Sequence, residues 1–297
     1  MKRLLSCYAS DLQGISKEEL KQAIATSEGR IILGETVVTA APLLEGVSNA
    51  EVMASFGADL ILLNEFDVFS KFINGFYPCD NPIAEIKRLT GRPVGINLEP
   101  VDRHAQVLDE KILISKGRQV NQESLEAAQA LGVDFILLTG NPSTGVSLSA
   151  IKEGIQLAIE HFKGLVFAGK MHGAGLTEDI FAVDTLTDFV KSGADGILLP
   201  SPSTVPFATE DAALQASKAV KALGGLVIAT IGTSQESADE ATIRTLALAN
   251  KRIGADIHHI GDGGYGRMPI PENILTLGLA IRGRRHTYFK MAQSILR

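Results

Sequence analysis

The chain has 297 residues, 45% apolar and 21% charged, with a formal net charge of −6. This composition suits a globular α/β protein with a large core, and it lacks the basic footprint of a nucleic-acid binder. No apolar run approaches the roughly 18 residues that cross a membrane, and two cysteines, Cys7 and Cys79, make no disulfide framework, as in a reducing cytoplasm.

Leu4 to Cys7 is similar to a lipoprotein cleavage box. The apolar stretch before it is far shorter than the roughly 7–15 residues of a secretory signal, so a signal is not expected. Residues 17–29 predict a leading helix, with Ser16 as N-cap and Gly29 as its stop. Eight strand-like segments follow, at 36–41, 59–64, 94–99, 134–139, 165–171, 195–200, 226–232 and 256–261. They are rich in Val, Ile and Leu with little alternation, as in parallel strands covered on both faces. Helical patterns separate them, among them "SNAEVMASFG", "NPIAEIKRLTG", "NQESLEAAQALG", "SLSAIKEGIQLAIEHFKG" and "ADEATIRTLALANKRIG". Eight alternating pairs, with a helix after the last strand, predict a single TIM barrel of the (β/α)8 class over residues 1–297, with 1–34 as an N-terminal helical extension. An open doubly wound sheet is the alternative.

Gly-x-Asp followed by an apolar run occurs four times, starting at Gly57, Gly132, Gly193 and Gly254. Both 193 minus 132 and 254 minus 193 give 61 residues, so the motif marks a repeated unit of two βα pairs. The glycine ends a helix and the aspartate turns the chain into the next strand. Asp59, Asp134, Asp195 and Asp256 are therefore expected together at the N-terminal rim of strands two, four, six and eight, where they serve stability.

Function is expected at the opposite rim. Asn97 and Glu99 share one strand face, as do Lys170 and His172, and both pairs are expected to point into the barrel mouth. Glu99 or His172 is a candidate general base, and Lys170 a candidate electrophile or, in an aldolase alternative, the Schiff-base amine. Asn64 and Thr139 join them at the exits of strands two and four. The loops after strands seven and eight read "IGTSQES" and "GDGGYGRMPIPEN", where barrels of this class frequently bind phosphate. Gly232, Thr233, Ser234, Gly263, Gly264 and Arg267 are the candidate phosphate ligands, with Asp262 as an acidic departure. Glu65, Asp67 and Glu99 could hold Mg²⁺ or Mn²⁺, with Asp67 equally readable as a helix cap. His258 and His259 are adjacent on a strand and face opposite ways, so they are not expected to share a metal.

Two long loops lie at this rim. "NEFDVFSKFINGFYPCDNP" carries five aromatics and suits a contact between copies in a homo-oligomer, and the charged segment around Gly117 suits a lid. The segment "TAAPLLEGVSNAEVMASFGADLILLN" resembles the first βαβ unit of the phosphoenolpyruvate mutase/isocitrate lyase superfamily. "NEFDVF…FYP" and "PVGINL" are similar to elements of BtpA-type barrels. The first resemblance implies Mg²⁺ and a small carboxylate such as an α-keto acid, although that superfamily's paired aspartates after strand three are represented here by Glu99 alone. The expected function is a cytoplasmic lyase or isomerase acting on a small phosphorylated or carboxylated metabolite. A non-catalytic metabolite-binding barrel is the alternative from another class.

Overall fold

The computed structural model describes residues 2–102, 104–105, 110–173, 176–232, 235–261 and 267–297. Two short 3-10 turns and helix α1 (Lys17–Ala25) precede a regular alternation of strand and helix. It runs β1 (Ile31–Val37), α2 (Asn49–Ser55), β2 (Leu60–Asn64), α3 (Pro82–Thr90), β3 (Val94–Leu98), α4 (Gln122–Leu131), β4 (Phe135–Leu138) and α5 (Leu148–His161). It continues with β5 (Leu165–Gly169), α6 (Val183–Lys191), β6 (Gly196–Pro200), α7 (Glu210–Ala222), β7 (Leu226–Ile231), α8 (Glu240–Arg252), β8 (Ile257–Ile260) and α9 (Pro271–Ala292). All eight strands are parallel and close into one barrel, β1 pairing with both β2 and β8. The closed barrel is the one the sequence pattern predicts, and the leading helix starts after Ser16 as expected but ends at Ala25, with Thr26 rather than Gly29 as its C-cap. Among the described residues, no helix is long and apolar enough to cross a membrane.

Local chemistry explains the boundaries. Ser16 and Ser48 accept hydrogen bonds from the N3 amides of α1 and α2, while Glu19 and Glu51 reach back to the cap amides. Asn81 caps α3 just before Pro82, where a missing N–H costs nothing. Seven of the strands begin within a residue of their expected starts, but β1 begins at Ile31 rather than at residue 36. The expected first strand leaves Gly34 and Glu35 outside it. In the fold Gly34 makes room for α2, since a Cβ there would lie 2.9 Å from the Met53 sulfur, and Glu35 belongs to the barrel interior.

The four Gly-x-Asp motifs sit at the starts of the even strands, as the repeat predicts. Gly57, Gly132, Gly193 and Gly254 all have positive φ, which suits glycine at a helix stop. The aspartates do more than turn the chain. Each carboxylate accepts the backbone N–H of the preceding odd strand: Asp59 from Ile32 at 2.9 Å, Asp134 from Val94 at 2.8 Å, Asp195 from Val166 at 2.9 Å and Asp256 from Val227 at 3.0 Å. Each is thus a staple that fixes register between two strands, rather than a local turn.

Side chains fall into two apolar layers. One lies between the strands and the helices, and the other fills the barrel. The inner layer joins Leu33, Leu62, Phe135, Phe167, Leu198 and Ile228 to Leu4, Leu5, Leu12, Leu20 and Ile24 of the N-terminal segment. That segment closes the N-terminal end, and Lys17 of α1 is 2.7 Å from Asp195 there. Only the C-terminal end is left for chemistry.

Candidate active site at the barrel mouth

Inward positions recur every second residue along a strand. Climbing by two residues toward the C-terminal end, Leu33 gives way to Glu35, Leu62 to Asn64, Gly95 to Asn97 and then Glu99, Leu137 to Thr139, and Ile257 to His259. The barrel is therefore apolar below and polar above, with the change on at least five strands.

The deepest polar group is a dyad. His259 Nε2 lies 2.5 Å from Glu35 Oε2, and both side chains are fully buried. Asn97 Nδ2 donates to the other carboxylate oxygen at 2.6 Å. Gly261 makes the close approach of β8 to β1 possible, because a Cβ there would lie 2.4 Å from the Glu35 carbonyl oxygen. A carboxylate accepts only, so the shared proton sits on Nε2 and leaves Nδ1 to act. Among the described residues Nδ1 has no partner, and neither do Asn97 Oδ1 and Thr139 Oγ1, although all three are buried. Buried polar atoms are nearly always bonded, so unsatisfied ones at the upper inward positions of three strands point to a ligand.

A second tier lies above the dyad. Glu99, 1% exposed, accepts from the Asn141 N–H at 2.9 Å, from Asn141 Nδ2 at 2.8 Å and from Arg118 Nη2 at 3.0 Å. Asn141 and Asn64 bond amide to amide at 2.9 and 3.1 Å. The Asn64 carbonyl also accepts from the Glu65 N–H at 2.8 Å. Glu65 Oε1 faces Arg118 at 3.9 Å and Arg267 at 3.6 Å, while Thr39 Oγ1 bonds its other oxygen. Asn97 and Glu99 are legible as mouth residues from strand parity, and Asn64 and Thr139 from their places at the exits of strands two and four. Glu35 is not, because β1 is placed too late, and the role of His259 is missed with it. Arg118 lies 19 residues beyond Glu99 at the end of a single 3-10 turn, Lys116–Arg118, too short for periodicity to find it.

Other expected residues stand elsewhere. Lys170 shares its face with Ala168, which packs in the outer layer, so it does not face the mouth. Its Nζ donates to Glu178 at 2.6 Å, and the other Glu178 oxygen accepts from the Leu148 N–H at the start of α5. Lys170 ties the exit of β5 to a helix. His172 is half-buried in the loop that follows. Gly232 packs against the exit of β8, where a Cβ would come within 3.1 Å of the Gly261 carbonyl oxygen. Thr233, Ser234, Asp262, Gly263 and Gly264 lie outside the described residues.

The acidic trio does not fit a divalent cation. Asp67 Oδ1 accepts the Phe69 and Ser70 amides at 2.8 and 3.0 Å and so closes a turn. Bonds from Ser115 and those amides hold its carboxyl below the usual range, outweighing a burial cost that is the largest single effect. Gly117 backs it, since a Cβ there would strike Asp67 Oδ1. Glu99 is filled by amide and guanidinium donors, and Glu65 faces two arginines. Mg²⁺ and Mn²⁺ need free carboxylate oxygens, and a guanidinium is the wrong neighbour for one. Among the described residues, no three His, Cys, Asp or Glu side chains gather where a metal could bind. His258 and His259 do separate as expected, with His258 Nε2 turned to the Gly29 carbonyl oxygen at 3.0 Å.

The chain belongs to the family described as a domain of unknown function, DUF7916, whose model matches residues 5–297. No curated protein matches the sequence. Among solved structures, the barrel is similar to a provisionally assigned lyase/mutase from Burkholderia cenocepacia J2315, at 17% identity and a TM-score of 0.51 over 99% of this chain and 92% of that one. It is also similar to 2,3-dimethylmalate lyase, a PEP mutase/isocitrate lyase superfamily member, at 15% identity and a TM-score of 0.50 over 83% and 81% of the two chains. A third likeness is to oxaloacetate acetylhydrolase in complex with 3,3-difluorooxalacetate, at 14% identity and a TM-score of 0.50 over 82% and 78%. At such identities the likeness is one of fold alone.

Proposed function

We propose that the protein is a lyase or isomerase that moves a proton on a small carboxylated or phosphorylated metabolite at the barrel mouth. The observation that carries this reading is the Glu35–His259 dyad, at 2.5 Å and fully buried in a barrel that is apolar below it. His259 Nδ1 takes a proton from the carbon next to a substrate carbonyl, and the electron pair of that C–H bond moves onto the carbonyl oxygen as an enolate. Glu35 holds the imidazole by Nε2–H and balances the imidazolium that forms. The Thr139 hydroxyl, which has no partner among the described residues, is the donor available to the enolate oxygen. Returning the proton to a different atom gives an isomerase, and breaking a bond next to the enolate gives a lyase. Glu99 positions Asn141 and Arg118 in this scheme rather than taking the proton.

The location of Arg267 after β8, together with the close-packed Gly232 and Gly261, supports an anionic substrate group at this side of the mouth. The barrel lyases of similar fold support carboxylate chemistry in general terms. The metal implied by the superfamily resemblance has no role in these steps, because Glu99 and Asp67 are filled by donors and Glu65 faces two guanidinium groups. Phe69, Phe72 and Tyr77 are about half exposed and fit a contact between copies of the chain. The ion pair of Lys170 with Glu178 disfavours a Schiff base, which needs a free amine aimed at the substrate.

The test is proton exchange into D2O from pyruvate, 2-oxobutyrate and dihydroxyacetone phosphate, followed by proton NMR. Wild-type protein should wash out carbon-bound protons from at least one of them. His259→Gln should slow that by about 10²-fold or more, the usual weight of a general base. Exchange at the wild-type rate in His259→Gln overturns the dyad's role. Melting shifts with no exchange from any probe would favour a non-catalytic binder.

A further inference from the structure

We infer that Arg118, Arg267 and Thr39 form an anion site on the rim of the mouth, that the Glu65 carboxylate occupies it in the free protein, and that a substrate carboxylate or phosphoryl group displaces it. This rests on the reading of the substrate as an anion and says where its charge is held. Three observations carry it. Two guanidinium groups from different loops converge on the same atom, Glu65 Oε1, at 3.9 and 3.6 Å. Both distances are too long for hydrogen bonds, so the cations surround the carboxylate without being satisfied by it. Arg118 Nε is buried and has no partner among the described residues.

The backbone adds the second strand of the argument. Glu65 has φ of 63° and Arg267 has φ of 59°, both in the left-handed region that non-glycine residues seldom adopt. Strain of this kind persists where surrounding structure imposes it, and it gathers at binding sites and switches. Here it falls on both the anion and one of its cations. Arg267 is tethered, because its carbonyl oxygen accepts from Thr36 Oγ1 at 3.3 Å, and Asn49 holds Thr36 in turn at 3.1 Å. Arg118 is tethered by Glu99 at 3.0 Å. Glu65 has a flexible stem and a side chain 20% exposed, so it can swing out while the Arg118 guanidinium and the Arg267 backbone stay; the Arg267 guanidinium, 54% exposed, can follow the incoming anion. An ordinary rim ion pair would be loose at both ends and contribute almost nothing.

The charges make a sharp prediction about direction. Glu65 and Glu99 now balance Arg118 and Arg267, so an incoming anion competes with Glu65. Removing the Glu65 charge should tighten anion binding, whereas a ligand, a catalytic group or a structural residue would weaken it on removal. A unit charge about 4 Å away, at a site between water and protein interior, predicts at least about a fivefold gain. Isothermal titration of inorganic phosphate and, separately, of pyruvate into wild type and Glu65→Gln reads this directly, and the stronger gain identifies the phosphoryl or the carboxylate as the group received. Glu65→Gly, which accepts the left-handed backbone without strain, should show the same gain if glutamine disturbs the loop. The gain should disappear when Arg267→Gln or Arg118→Gln is added. Equal or weaker binding of both probes by both Glu65 variants, or a gain that survives loss of the arginines, overturns the inference. Neither result bears on the proton-exchange test of His259, so the two readings fail separately.

Discussion

Four aspartates that look equivalent in the sequence should differ severalfold in what they contribute. Replacing each by asparagine keeps an oxygen that can accept the strand N–H and removes only the charge. For Asp59 that charge is enclosed: the Asp59 and Arg282 side chains are both 0% exposed and 2.5 Å apart, and Lys290 lies 3.7 Å away, equally buried. Burial pushes Lys290 down to about 8 and Arg92 to about 10, with Asp59 the neighbour that opposes the fall in both. Without Asp59, buried cations face one another with no anion, and breaking such a group costs roughly 3–5 kcal/mol. Asp134 is different. Its partner Lys87 is 32% exposed, and burial holds the Asp134 carboxyl above its usual range despite that lysine. Asp134→Asn should therefore cost less than about 1 kcal/mol, and Asp256→Asn, whose Lys221 partner is 42% exposed, a similar amount. The sequence has no tryptophan, so urea unfolding followed by far-UV circular dichroism is the suitable assay. Arg282→Met added to Asp59→Asn should recover part of the loss, because it removes an orphaned charge. If Asp59→Asn costs no more than Asp134→Asn, the argument from enclosure is wrong.

Two further outcomes are expected. His258 is fully buried, and burial pushes its ring down to about 4, against about 6.5 when unfolded. Between those values the unfolded chain binds the extra proton, so stability should fall by up to about 3 kcal/mol as pH drops from 6.5 toward 4. Melting temperatures of His258→Gln across that window should show a shallower acid slope, and an unchanged slope would exclude this histidine as the cause. Borohydride treatment in the presence of pyruvate should leave Lys170 unmodified by mass spectrometry, since its nitrogen donates to Glu178. A reduced adduct on Lys170 would restore the Schiff-base reading.

Much of the architecture was legible because it depends on local chemistry. Helix stops need left-handed glycines, caps need short polar side chains, and doubly covered strands need continuous apolar runs. These signals lie within a few residues of one another, so chain order alone reveals a closed barrel and the rim that carries Asp59, Asp134, Asp195 and Asp256. The end of the apolar run of β4 places Thr139 at the mouth, and parity along β3 likewise places Asn97 and Glu99 there. The same rule misplaced Lys170, because the face it shares with Ala168 is set by which side of the sheet meets α5. Polarity alone does not reveal that side.

Contacts between distant parts of the chain were decided only by the tertiary structure. Glu35 and His259 are 224 positions apart, and nothing local in "IILGETV" marks its glutamate as the floor of a site. Arg118 and Arg267 meet at Glu65 from two loops without periodicity. The aspartate repeat shows the same division. Sequence establishes that four aspartates begin four strands, whereas barrel closure and α9 decide that only Asp59 faces Arg282 and Lys290. Local backbone preference acts over a few residues and is written in their order. Burial and charge pairing act through space, and only closure of β1 against β8 brings those partners within reach.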